Sequence, residues 1–218
     1  MQKLSSDATV VPMAAATWMR PGALPAPQPD QRMLIRGVSW SDYVLLRKTL
    51  DHIPGLRMTF CEGVLELMSP SRSHELWKTT TARLIELYAF LLELPLLGYG
   101  STTFRDEAKE RGVEPDECWR VGSQMKDGEI PDIVLEVIYS SPLLDKLYVY
   151  DGLEIPEVWL WQDGAFSVHR RRAEGGYVPA ERSGLLPELD FALVARFVTR
   201  EDQDVALREF ASAVRRGR

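Results

Sequence analysis

The spacing of apolar and polar residues changes period several times along the chain, and each change predicts an element. Ser41 stands ahead of apolar Tyr43, Leu45 and Leu46, so a short helix capped by Ser41 is expected to run to about Leu50. Arg57 to Met68 alternates about Glu62-Gly63, which predicts a β-hairpin. Ser69-Pro70 ends it. Ser73 is then placed to cap a helix with Glu75 in its first turn, along which Trp77, Leu84, Ile85, Tyr88, Leu91 and Leu92 recur at helical spacing.

Strand-like runs follow at Gly98 to Phe104 and Glu117 to Val121, separated by a polar turn from Asp106 to Gly112. From Ile130 to Tyr139 the chain is almost continuously apolar, as in a strand buried on both faces. Ser141 can cap a helix through Leu144, Leu147, Tyr148 and Tyr150, ended by Gly152. Two further strands, Glu157 to Trp161 and Ala165 to Arg170, flank the hairpin signal Asp163-Gly164, and Val205 to Arg216 reads as an amphipathic helix. No internal repeat is visible.

Composition narrows the class. A chain of 218 residues that is 45% hydrophobic can bury one core and is short for several. Pro12, Pro21, Pro25, Pro27 and Pro29 lie among Ala, Ser and Gln, so residues 1–32 are expected to be a flexible leader and residues 33–218 the folded domain with its C-terminal helix. A net charge of −6 gives no overall basic field for nucleic acid or anionic membrane, so any such contact is local. Cys61 and Cys118 have no second Cys or His at chelating distance, which argues against a zinc knuckle, a CxxC redox pair or a disulfide framework and fits the cytoplasm. The apolar stretch Leu84 to Leu97 is broken by Glu86, Glu93 and Pro95 and falls short of the roughly 20 residues that span a bilayer. Asp7 and Pro12 break up the N-terminal region, so a secretory signal is not expected.

Glu136 is the residue that most needs explaining, because an unpaired carboxylate inside an apolar strand costs several kcal/mol. It requires a cation, a metal or a proton. Asp116 follows Pro115 at the mouth of another strand, and Asp132 follows Pro131 four residues before Glu136. Carboxylates so placed can converge on one hard cation, since Mg²⁺ is held by one or two carboxylates with water and phosphate oxygens. The alternative is that Asp116 and Asp132 cap turns and Glu136 pairs with an arginine. Lys146, on the helix after the strand, can reach back to stabilise developing negative charge or position a water. His74 and Glu75 open the long helix just after the hairpin carrying Glu66, so these too can face a cleft; a capping or surface histidine is the plainer alternative. No Walker loop, GxSxG elbow or His-x-x-x-His pair occurs. His169 to Arg172 and Arg215, Arg216 and Arg218 can touch phosphates or simply form solvated faces.

Six blocks, in order, are similar to one family. They are Val64-Leu-Glu66-Leu-Met-Ser-Pro70-Ser-Arg-Ser-His74-Glu75, Gly100-Ser-Thr-Thr103-Phe, Gly112-Val-Glu114-Pro-Asp116-Glu-Cys-Trp, Pro131-Asp132-Ile-Val-Leu-Glu136-Val, Ser140-Ser141-Pro-Leu-Leu-Asp145-Lys146-Leu and Ile155-Pro-Glu157-Val-Trp159. Together they resemble the Uma2 family of restriction-endonuclease-like proteins, in the PD-(D/E)XK nuclease superfamily, over about residues 38–195. The resemblance implies an α+β fold with a mixed β-sheet core of four strands flanked by helices, to which additional β-hairpins are attached. It makes Asp116 the Pro-Asp metal ligand and Glu136 the acid of the second half-motif. Ile138 stands where the motif lysine falls, so the lysine role passes to Lys146. Glu66 or Glu75 supplies the extra acid near the first helix, and His74 matches a family histidine. Val137-Ile138-Tyr139 and Gly152-Leu-Glu154-Ile155 depart from the family's runs at those places.

The expected activity is a Mg²⁺- or Mn²⁺-dependent endonuclease hydrolysing phosphodiester bonds of DNA. Asp116, Glu136, Lys146, His74 and Glu66 form the candidate catalytic set, and Asp116, Glu136 and Asp132 the candidate metal ligands. Two other readings stand beside it: a catalytically silent nuclease-fold protein that binds nucleic acid or a partner protein, and a homodimer module pairing through the hairpin of Trp159 and Trp161.

Overall fold

The computed structural model describes residues 29–139 and 142–217. Most of the expected leader, and Ser140 and Ser141, lie outside them. Eleven strands among the described residues form two sheets. The first has the order β1-β3-β2-β6-β5, built from β1 (Gln31–Arg36), β2 (Arg57–Cys61), β3 (Val64–Ser69), β5 (Phe104–Asp106) and β6 (Arg111–Val113). The second has the order β11-β10-β9-β8-β7-β4, built from β4 (Leu96–Gly98), β7 (Glu117–Val121), β8 (Ile133–Ile138), β9 (Glu157–Gln162), β10 (Ala165–Arg171) and β11 (Tyr177–Ala180). It is mixed, since β8 and β9 pair in parallel and its other ladders are antiparallel. Six strands therefore extend the expected core of four. The α+β class and the two hairpins at Glu62-Gly63 and Asp163-Gly164 are as expected.

The helices are α1 (Trp40–Leu50), α2 (Arg72–Leu91), α3 (Lys146–Gly152), α4 (Phe191–Val198) and α5 (Gln203–Arg216). Three caps differ from expectation. Ser39, not Ser41, caps α1 in a capping box with Asp42, and Ser71, not Ser73, caps α2 by accepting from His74 N–H. Asp145 caps α3 by accepting from Tyr148 N–H. The expected strand from Gly98 to Phe104 is instead two short strands in different sheets, with Gly100 at φ 61° in the crossing between them. Within the expected polar turn, Arg111–Val113 is strand β6.

β8 organises the core, because alternation along a strand sends its side chains to opposite faces. Ile133, Leu135 and Val137 pack on one face with Leu84, Ile85 and Tyr88 of α2 and with Val194 and Phe210 of α4 and α5. Val134 packs on the other face with Cys118, Val149 and Tyr150. Glu136 shares the parity of Val134 and so lies on the α3 side. A third cluster closes α1 over the first sheet through Tyr43, Met58, Phe60 and Leu65. The sheets meet where β6 passes into β7, and Asp116 sits in that junction. No helix among the described residues is long and apolar enough to cross a membrane.

Candidate active site

Asp116 directly precedes β7, and the ladder pairs Glu117 with Leu135, so one further step of the same register sets Asp116 against Glu136. Both carboxylates are buried, at 2% and 5% exposed. Asp116 Oδ2 accepts Val137 N–H at 2.7 Å and its Oδ1 accepts from His74 Nε2 at 2.9 Å. Burial alone would lift the Asp116 pKa, but His74, the Val137 N–H and the Lys146 charge outweigh it and hold the carboxyl below its ordinary value.

Glu136 Oε1 accepts from Lys146 Nζ at 3.1 Å and from the Tyr150 hydroxyl, both supplied by α3. Burial lifts the Glu136 carboxyl above the usual range; the Lys146 ammonium works against this and the Asp116 charge adds to it. The cation that answers this buried glutamate is therefore a lysine rather than an arginine.

His74 begins α2 and is 1% exposed. Its Nδ1 lies 3.1 Å from Asp30 Oδ2, which places the ring between two carboxylates. Burial pulls the imidazole down, but the hydrogen bonds and charges of Asp116 and Asp30 prevail and push its pKa up to about 10. Arg32 lies 3.5 Å from Asp30 and pairs on its other side with Glu66. Glu66 Oε2 accepts the backbone N–H groups of Leu143 and Leu144, at 2.7 and 2.8 Å, just before α3. Glu66, His74, Asp116, Glu136 and Lys146 thus join one buried network, drawn from both sheets and two helices.

Asp132 does not join it. Its Oδ2 accepts Val121 N–H at 2.8 Å and lies 3.5 Å from Arg120 Nε, at the end of the β7–β8 ladder remote from Asp116. Four residues of strand separate it from Glu136, about 13 Å at the rise of an extended chain, so Asp132, an expected metal ligand, stands apart from the pair of Asp116 and Glu136. Glu75 is also apart, pairing with Lys78 at 3.2 Å and Arg57 at 3.8 Å. In the basic cluster, Arg171 is committed to Asp151 at 2.7 Å.

Two oxygen-bearing carboxylates suit Mg²⁺, which needs no more than one or two from protein. No group of three His, Cys, Asp or Glu among the described residues is arranged to hold a metal. Carboxylate oxygens with water completing the shell are the donor chemistry that such a cation takes.

Asp30, Arg32 and Tyr150 were missed as site residues. Asp30 carries a usable signal: Pro29-Asp30 is a Pro-Asp like Pro115-Asp116 and Pro131-Asp132, but it lies among the prolines of the expected leader. Strand β1 starts at Gln31 and Asp30 is buried, so ordered structure begins before residue 32.

A family model described as "Uma2: Putative restriction endonuclease" matches residues 40–198, well over half of the chain. Among solved structures, the chain is similar to a crystal structure described as "a putative nuclease belonging to DUF820" from Anabaena variabilis ATCC 29413, at 13% identity and a TM-score of 0.38, covering 72% of this chain and 90% of that one. No curated protein matches.

Proposed function

We propose, for a chain that belongs to the Uma2 restriction endonuclease family, a divalent-metal-dependent endonuclease that hydrolyses phosphodiester bonds of DNA. The observation that carries this reading is the meeting of Asp116, from the junction before β7, Glu136 of β8 and Lys146 of α3 in one buried cluster. Asp116 and Glu136 would hold Mg²⁺ or Mn²⁺, which when bound neutralises phosphate charge and lowers the pKa of a coordinated water. Lys146 holds Glu136 through Oε1 and brings a positive charge to where negative charge develops on a phosphoryl group. His74 clamps Asp116 from the opposite side, and Glu66 fixes the backbone that leads into α3. At a net charge of −6, affinity for DNA depends on local cations and falls as salt rises. The reading includes a cytoplasmic location, in keeping with two buried free cysteines.

The test is cleavage of plasmid and linear DNA by the full chain in MgCl₂ or MnCl₂ against EDTA. Glu136→Gln is expected to abolish metal-dependent cleavage with its circular dichroism unchanged; undiminished cleavage by that variant rules the assignment out. A second reading rests on a specific observation: a protein cation already engages each carboxylate. On that reading the chain is a silent nuclease-fold protein that binds nucleic acid or a partner. Calorimetric titration with MnCl₂ separates the two, since the silent protein takes up no metal.

A further inference from the structure

Asp30 lies ten residues before the stretch that the family model matches, yet it makes closer contacts in the site than Asp132 does. It is 7% exposed and both of its oxygens are used. Oδ1 accepts the N–H of Ser71, the cap of α2, at 2.8 Å, and Oδ2 meets His74 Nδ1 at 3.1 Å. One carboxylate thus sets both the start of the helix and the rotation of the ring that the helix carries. The opposite ring nitrogen meets Asp116 Oδ1 at 2.9 Å. On its far side, Asp30 is linked through Arg32 and Glu66 to the backbone of Leu143 and Leu144, which leads to Lys146.

We infer that Asp30 is a positioning residue: acting through His74, it orients the Asp116 carboxylate and raises its affinity for a divalent cation. This rests on the reading that Asp116 and Glu136 hold such a cation. The ring, pinned at both nitrogens by Asp30 and Asp116, holds the Asp116 oxygens in one orientation, as outer partners of metal ligands do. Without Asp30 the buried Nδ1–H is left without an acceptor, and the ring turns toward whatever acceptor is nearest.

The experiment is calorimetric titration of the full chain with MnCl₂, without nucleic acid, for the wild type, Asp30→Ala, Asp30→Asn, His74→Gln and the double variant Asp30→Ala/His74→Gln. Outer-partner losses of this kind weaken metal binding about 10- to 100-fold, and that is the change expected for Asp30→Ala, with Asp30→Asn in between. If Asp30 works through His74, the double variant binds no more weakly than His74→Gln alone. Wild-type affinity in Asp30→Ala overturns the inference, as does a double variant whose losses multiply. Where Asp30→Ala does not fold, Asp30→Asn is read in its place; failure of both to fold overturns the inference by making the residue structural. Absence of Mn²⁺ binding by the wild type, or binding unchanged in Glu136→Gln, instead removes the metal-centre reading itself.

Discussion

Lys146 Nζ lies 3.1 Å from Glu136 Oε1, with both side chains buried, so the pair cannot be broken from one side without leaving a charge that water does not reach. In Lys146→Met the carboxyl keeps the Tyr150 hydroxyl but loses the group that holds its pKa down. The folded-state pKa of Glu136 already lies above its unfolded value and rises further in the variant. A group so raised gives stability that is present at low pH and is lost as pH climbs through the folded pKa. The variant is therefore expected to lose about 3 kcal/mol at pH 8 and distinctly less at pH 5. Urea melts in EDTA at the two pH values measure this, and equal losses contradict it.

His74→Gln tests the charge between Asp30 and Asp116. The imidazole pKa is raised from 6.5 to about 10, so its stabilising charge is fully present below pH 6.5 and drains away as pH rises toward 10. Metal-free wild type is expected to lose stability across that window, and His74→Gln to show a flatter profile from a lower start. Thermal melts from pH 6 to 10 in EDTA check both, and an NMR ring resonance still characteristic of imidazolium at pH 8 is expected for the wild type.

Glu66→Ala removes the acceptor for Leu143 and Leu144 N–H and the partner of Arg32. Hydrogen bonds to a charged acceptor contribute about 1.5–3 kcal/mol, so amide exchange at these two residues should quicken about tenfold or more. Exchange at the β8 amides, set by the sheet ladder, is expected to change far less. Hydrogen-exchange mass spectrometry of wild type and variant gives the comparison.

These residues also mark how far the sequence carries the structure. β8, β9, β10 and the hairpin of β2 and β3 were legible because a period of two, a buried apolar run and the Glu-Gly and Asp-Gly turns are local signals. Glu136 was legible because a charge inside such a run must have a partner, although the identity of that partner was not. β1 and β11 were not, since β1 alternates between exposed and half-buried residues and β11 is a short edge strand holding Pro179. α4 is eight residues long, with its cap at Asp190 and its apolar face settled by β10, α2 and α5. Of the three Pro-Asp pairs, Asp30 and Asp116 meet at His74 and Asp132 does not. Only long-range pairing distinguishes them, and no spacing in the chain encodes it.

Away from the site, Tyr43 and Gly112 offer a prediction in which the sign of the change reverses. Tyr43 is fully buried, stacked on Phe60 at 5.0 Å, and its hydroxyl has no hydrogen-bond partner. Burial, with the charge of Glu114 and against those of Arg47 and Arg105, pushes its pKa up to about 12. An unpartnered buried hydroxyl costs about 1–3 kcal/mol, so Tyr43→Phe is expected to stabilise by about 1 kcal/mol at pH 7. The unfolded phenol ionises near pH 10 and the folded one only near 12, so wild-type stability falls across that interval; this component of the fall is absent in Tyr43→Phe. Gly112 pairs with Phe60, and a Cβ added there would overlap the Tyr43 hydroxyl and stand 2.5 Å from its Cζ. Gly112→Ala is therefore expected to destabilise by about 1–3 kcal/mol through overpacking. Placing Gly112→Ala on Tyr43→Phe removes the nearest oxygen but not the Cζ contact, so the double variant should recover part of that loss and no more. Urea melts of the four proteins form the cycle: strict additivity would show that the two residues do not press on each other, and full recovery would place the whole overlap on the hydroxyl.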